Sequence, residues 1–177
     1  HQCDRRQRQM CIRDRDISSQ DINSRKDLRR LNFVTIDGSN AKDFDDAVYA
    51  EESSDGFLLY VAIADVSEYV LQDSSLDKEA FSRATSVYFE KKVIPMLPEL
   101  ISNKLCSLRP NEDKLVLTCE IYLDREGEIK SFEFFNSVIC SKNRLTYDEV
   151  EKFYQKGQTA LSDLSLIHIS EPTRLAI

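Results

Sequence analysis

Histidine is nearly missing from this chain. Its two copies, His1 and His168, stand near the ends of the 177 residues, and none lies between them. A hydrolase working through Ser-His-Asp or Cys-His, or a zinc centre with histidine ligands, has nothing to use in that interior. No apolar run approaches the roughly 18 residues that cross a bilayer, so no membrane association is expected. Cysteine is sparse, and the three interior copies, Cys106, Cys119 and Cys140, are widely spaced and set in apolar contexts. That pattern reads as small buried thiols in a reduced, cytoplasmic protein, not as a disulfide framework. Internal repeats and low-complexity tracts are absent too.

The two ends share an origin. Arg5 to Arg15 reads RRQRQMCIRDR, and Leu164 to Arg174 reads LSLIHISEPTR. Met10 to Arg15 back-translates as ATG TGT ATA AGA GAC AG, with a free last base. The reverse complement, CTG TCT CTT ATA CAC AT, begins the code for Leu164 to Ile169. One DNA element read in opposite directions explains both flanks, and it resembles the mosaic end of a transposon-based sequencing adaptor. Residues 1–15 and 164–177 are therefore expected to be adaptor-derived and are set aside from fold reasoning. The remaining segment, 16–163, carries 18 basic and 28 acidic side chains, a net charge of −10. Its length suits one hydrophobic core, so it is at most one domain or a piece of a larger one.

Strand signals dominate that segment. Ile17 to Arg30 is polar and reads as an approach loop; Asn32 to Ile36 and Ala47 to Ala50 read as short strands. Phe57 to Ala64 (FLLYVAIA) is almost wholly apolar, as a strand buried on both faces would be. Leu76 to Arg83 has helical character, with Leu76, Ala80 and Phe81 on one side and a cap at Ser74-Ser75. Pro95 and Pro98 make a rigid crossing, and Glu99 to Leu105 forms a short helix. Lys114 to Leu123 and Ile129 to Cys140 flank Asp124-Arg125-Glu126-Gly127 as a β-hairpin. Leu145 to Tyr154 is helical, with a capping box from Thr146 to Glu149. The fold class is α+β: a mixed, largely antiparallel sheet with packed helices.

What the chain has in excess is local negative charge. Thr35 to Val48, TIDGSNAKDFDDAV, gathers Asp37, Asp43, Asp45 and Asp46 behind the apolar run Phe33 to Ile36. Crowded carboxylates beside a core need open solvent or a cation. A solvated acidic turn is the ordinary explanation. Against it stand Asp37 at a sheet end, Phe44 as an inward anchor, and small Gly38, Ser39 and Ala41, which leave room for a ligand. An EF-hand is excluded, because counting from Asp37 puts Lys42 at the glycine position and Val48 at the final glutamate. Carboxylates alone suit a hard cation such as Mg²⁺, and two such ions can serve phosphodiester chemistry. The overall negative charge repels a polyanion, so RNA or DNA binding would need local basic sites, metal or further modules. Arg25, Lys26, Arg29 and Arg30 form a small basic group that a solvated loop explains equally well.

FVTIDGSNAKDFDDAV, LYVAIADVSEYV, RATSVYF, VIPMLPELISNKLCSLRP and RLTYDEV occur in this order. Together they resemble the catalytic domain of the bacterial ribonuclease II/ribonuclease R family, with the ribonuclease R branch nearer. The resemblance runs from Arg25 to Phe153 and covers only the beginning of that domain. It implies a Mg²⁺-dependent hydrolytic 3′–5′ exoribonuclease acting on single-stranded RNA and releasing nucleoside 5′-monophosphates. It further implies that Asp37, Asp43, Asp45 and Asp46 form one metal-holding catalytic centre, with Asp45 most tightly linked to cleavage, and that Tyr88 packs against a nucleotide. A monomeric, cytoplasmic enzyme is implied, whose flanking OB-type modules and downstream arginine and glutamate residues are missing here. A catalytically silent RNA-binding or scaffold homologue is the alternative. Glu90, Lys104 and Glu68 depart from the family pattern of proline, glycine and histidine at those places.

Overall fold

The computed structural model describes residues 22–89 and 92–156. Both adaptor-like flanks and Glu90 lie outside these residues. A seven-stranded mixed sheet forms the body, in the order β1-β8-β7-β4-β3-β2-β9. Its strands are β1 (Lys26–Asp27), β2 (Val34–Asp37), β3 (Asp46–Ser53), β4 (Gly56–Ala64), β7 (Asp113–Asp124), β8 (Ile129–Cys140) and β9 (Asn143–Thr146). Strands β1 and β9 pair in parallel with β8 and β2, and the other neighbours are antiparallel. A separate ribbon pairs β5 (Val87–Phe89) with β6 (Lys92–Ile94). Helices α1 (Ser75–Arg83) and α2 (Tyr147–Lys156) complete the α+β fold, with a 3-10 turn at Val66–Glu68 and a π-type turn at Ile101–Leu105.

Local chemistry sets the boundaries. The Ser74 side chain caps α1 by accepting from the Asp77 amide at 3.1 Å, and Glu79 instead pairs with Arg83. At α2 the capping box forms as read, with Thr146 and Glu149 bonded reciprocally; Leu145, however, belongs to β9. The β7–β8 turn closes on Asp124, whose carboxylate accepts the Glu126 and Glu128 amides, while Gly127 supplies a φ of 86°. At the other hairpin, a Cβ on Gly56 would lie 1.9 Å from the Leu123 carbonyl oxygen, so the β4–β7 approach requires glycine there.

The core lies on one side of the sheet. Phe33, Tyr49 and Tyr60 pack as a trio with ring centroids 5.9–6.3 Å apart, beside buried Ile101, Cys106 and Leu108. Two expectations, on β4 and on α1, are corrected here. β4 is not buried on both faces: Leu58, Tyr60, Ala62 and Ala64 are buried, but Ile63 is exposed. On β7 the buried face is Val116, Thr118 and Glu120, while Leu117 on the opposite face is exposed. Partners from other strands satisfy the polar members. Thr118 and Ser137 share a hydrogen bond at 2.6 Å, and Lys26 reaches Glu120 at 3.0 Å. Helix α1 buries none of its residues fully: Leu76 packs against the core at its first turn, but Phe81 is 88% exposed, so only the start of its apolar side is used. Of the thiols, only Cys106 is fully buried, and burial pushes its pKa up to about 12.

The approach segment is also more than a loop. Arg25 is buried, pairs with Asp65 at 2.7 Å and Glu68 at 2.8 Å, and donates to the Val116 carbonyl. Glu68, a departure from the family pattern, thus has a structural partner. Burial alone would raise the Asp65 pKa, but the Ser67 hydroxyl and the Arg25 guanidinium together hold it below the usual range. Replacing Arg25 with alanine leaves the buried Asp65 charge uncompensated and is expected to cost roughly 3–5 kcal/mol in denaturant unfolding. Arg29→Ala, which removes only exposed pairs with Asp27 and Asp113, should stay within about 1 kcal/mol. Equal effects would contradict this account.

Candidate active site

Asp37 is the last residue of β2 and Asp46 the first of β3, and the seven-stranded sheet holds both strands side by side. Residues 38–45 connect them without helix or strand. A loop of that kind carries no path of its own, so its backbone must be tied elsewhere. The Phe44 amide donates to Ser107 Oγ at 3.1 Å, and that hydroxyl donates to the Lys42 carbonyl at 3.2 Å. The Leu108 amide donates to the Phe44 carbonyl, and the Ala64 amide to the Asp45 carbonyl. Arg144, from β9, donates to the carbonyls of Gly38 and Ser39 and lies over the Phe44 ring at 5.0 Å. Phe44 is buried, as an inward anchor should be.

The four acidic residues differ in exposure. Asp45 and Asp46 are exposed, while Asp37 and Asp43 are half-buried. Burial pushes the Asp37 pKa up, helped by the charges of Asp46, Asp43 and Asp45 and opposed by Arg144. Although Asp45 as a whole residue is exposed, packing about its carboxyl group raises its pKa, and Asp43 and Asp46 add to the rise. Asp37 and Asp45 thus both feel the negative charge of Asp43 and Asp46. Open space surrounds the Gly38 Cα, with no atom within 4 Å of a Cβ added there.

An all-carboxylate donor set fits a hard divalent cation. Among the described residues, however, no three acidic, histidine or cysteine side chains converge as a ready ligand shell. Tyr88 is not brought to the loop's sheet at all: it stands on the β5–β6 ribbon, exposed beside exposed Phe89. Reading along the chain missed Ser107 and Arg144. Their only local signals were the polar Ser107 within LCSL and the basic Arg144 before LTYDEV.

The family model described as RNB domain matches residues 25–174. Ribonuclease R of Acidithiobacillus ferrooxidans is 58% identical over 126 residues, covering 71% of this chain and 29% of that protein. The chain thus spans under a third of that relative's length. The solved structure of Mycoplasma genitalium RNase R in complex with ribose methylated single-stranded RNA has a TM-score of 0.80 and 40% identity. That likeness covers 85% of this chain and 24% of the solved one. Yeast Ssd1, a pseudonuclease, shares the fold alone, with a TM-score of 0.73 at 21% identity, over 82% of this chain and 18% of its own.

The raised pKa values of Asp37 and Asp45 mean that the folded state binds protons more tightly than the unfolded chain. Without metal, stability contributed by these groups therefore falls as pH rises from the ordinary carboxylate range through the raised values. Asp45→Asn is expected to raise the Tm of the metal-free protein at pH 7 by on the order of a degree or more, with the gain vanishing below about pH 4. Thermal unfolding in chelator at the two pH values checks this, and a lower Tm at pH 7 would contradict it.

Proposed function

The chain belongs to the RNB-domain family, and from that membership we propose that it is the aspartate-bearing part of a Mg²⁺-dependent 3′–5′ exoribonuclease. The full-length protein would shorten single-stranded RNA and release nucleoside 5′-monophosphates. One observation carries the reading: four aspartates sit on, or at the ends of, one loop whose backbone is fixed by Ser107, Leu108, Ala64 and Arg144. The solved RNA complex of a 40% identical RNase R supports RNA as the substrate class.

Asp37, Asp43, Asp45 and Asp46 would hold Mg²⁺. When bound, the ion supplies water activation and charge neutralisation at a scissile phosphate. The aspartates would bind the ion, and no atom lies within 4 Å of a Cβ added at Gly38, which keeps that side of the loop open. Asp45 would be the carboxylate most tightly linked to cleavage, orienting the water that the metal activates or supporting a second ion. Tyr88, with Phe89 beside it, offers an exposed aromatic face on which a base near the 3′ end stacks.

The activity belongs to the whole protein, a cytoplasmic monomer whose OB-type modules supply most of the affinity for RNA. Residues 16–163 are the catalytic-domain piece, the flanks 1–15 and 164–177 are adaptor-derived, and the 177-residue chain alone is inactive. A catalytically silent RNA-binding or scaffold homologue is the second reading, because a pseudonuclease shares this fold.

The deciding assay digests 3′-tailed single-stranded RNA with the full-length protein, with and without Mg²⁺. Mg²⁺-dependent shortening from the 3′ end is expected, reduced to background by Asp45→Asn while RNA binding is largely kept. Tyr88→Ala should weaken RNA binding by about 1–3 kcal/mol. Binding without shortening would select the silent homologue, and full activity of the Asp45 variant would remove its assigned role.

A further inference from the structure

The loop that carries the aspartates owes its path to two side chains from distant parts of the sequence. Ser107 is fully buried, yet its hydroxyl is spent on the loop backbone: it accepts from the Phe44 amide and donates to the Lys42 carbonyl. These two bonds bracket Asp43 and set the direction in which the chain enters Phe44 and Asp45. The adjoining Leu108 amide takes the Phe44 carbonyl at 2.8 Å, so both backbone polar groups of Phe44 end on residues 107 and 108.

Arg144 grips the other end. One of its terminal nitrogens donates to Gly38 O at 3.0 Å and Ser39 O at 2.8 Å, just after Asp37. The same guanidinium covers the Phe44 ring at 5.0 Å, so it spans from the start of the loop to its anchor. Among the described residues its Nε has no hydrogen-bond partner. A lysine would keep the charge but lose the guanidinium group that reaches the two carbonyls while lying over the ring.

We propose that Ser107 and Arg144 are positioning residues of the acidic centre, setting the spacing of its carboxylates from opposite ends of the loop without touching substrate or metal. This rests on the exoribonuclease reading given above. Partners that orient metal-holding side chains typically contribute 10- to 100-fold in metal affinity or activity. Removal of the Ser107 hydroxyl also strands a buried Phe44 amide, which the loop can relieve only by moving.

The test uses the full-length protein and two variants, Ser107→Ala and Arg144→Lys. Mn²⁺ binding is measured calorimetrically without RNA, the Mg²⁺ midpoint for RNA shortening kinetically, and RNA affinity in chelator. Expected for each variant is a roughly 10-fold or greater weakening of metal binding, a matching rise in the Mg²⁺ midpoint, and recovery of rate at high Mg²⁺. RNA affinity in chelator and the Tm should change little. Metal affinity and midpoint unchanged in both variants would overturn the proposal. So would a fall in rate that excess Mg²⁺ does not relieve, or one that tracks lost Tm in both variants. If the unsubstituted protein neither binds the metal nor shortens RNA, the functional reading falls and takes this inference with it.

Discussion

Four like charges cannot hold themselves together, and the structure solves this by fixing the backbone beneath them. The ties to residues 38–45 run through main-chain amides and carbonyls, reached from β4, from the Ser107-Leu108 segment and from β9. Side-chain pairing would have neutralised the carboxylates and removed their use. Backbone pairing leaves their charge available while denying the loop the freedom to splay. The arrangement of the sheet follows from this need. β2 and β3 must lie adjacent to bring Asp37 and Asp46 to the same end, and β9 must lie outside β2 to deliver Arg144.

The same division of labour appears away from the loop. Arg25 ties the segment before β1 to Asp65 and Glu68 at the exit of β4, and Asp65 in turn donates its amide to the Leu115 carbonyl on β7. The Ala64 amide, one residue earlier, holds Asp45. The end of β4 is thus a junction where the N-terminal approach, the central strands and the acidic loop meet. Its buried ion pair stabilises little by itself after desolvation, but it fixes which strand end receives which segment.

What was readable along the chain was local. The spacing of Asp37, Asp43, Asp45 and Asp46, the Thr146–Glu149 box and the turn at Asp124 to Gly127 each depend on residues a few positions apart. The family-bearing blocks were readable too, since they are short and ordered. What escaped depends on partners far away. The burial of Thr118 and Glu120 on β7 depends on Ser137 and Lys26, which partner them from other strands. The link between Ser107 and Phe44 spans 63 positions, and that between Arg144 and Gly38 spans 106, so no local pattern announces either. Phe81 failed in the opposite sense: helical periodicity gave α1 an apolar side, but only Leu76 of it packs against the core and Phe81 stays exposed.

The uncovered side of β7 and β8 has a consequence of its own. Ile129, Phe132 and Phe134 are about 60% exposed, and Phe132 and Phe134 pack edge-to-face with each other at 5.7 Å. Among the described residues, β1 pairs with β8 only at Ser137 and Val138, so the strand's first half is a free border of the sheet. Lys130 and Glu133 interrupt that border with charge, the usual guard against strand-to-strand association. Among the described residues this rim is an open edge of the sheet, and the charges that oppose strand-to-strand pairing there weaken as ionic strength rises.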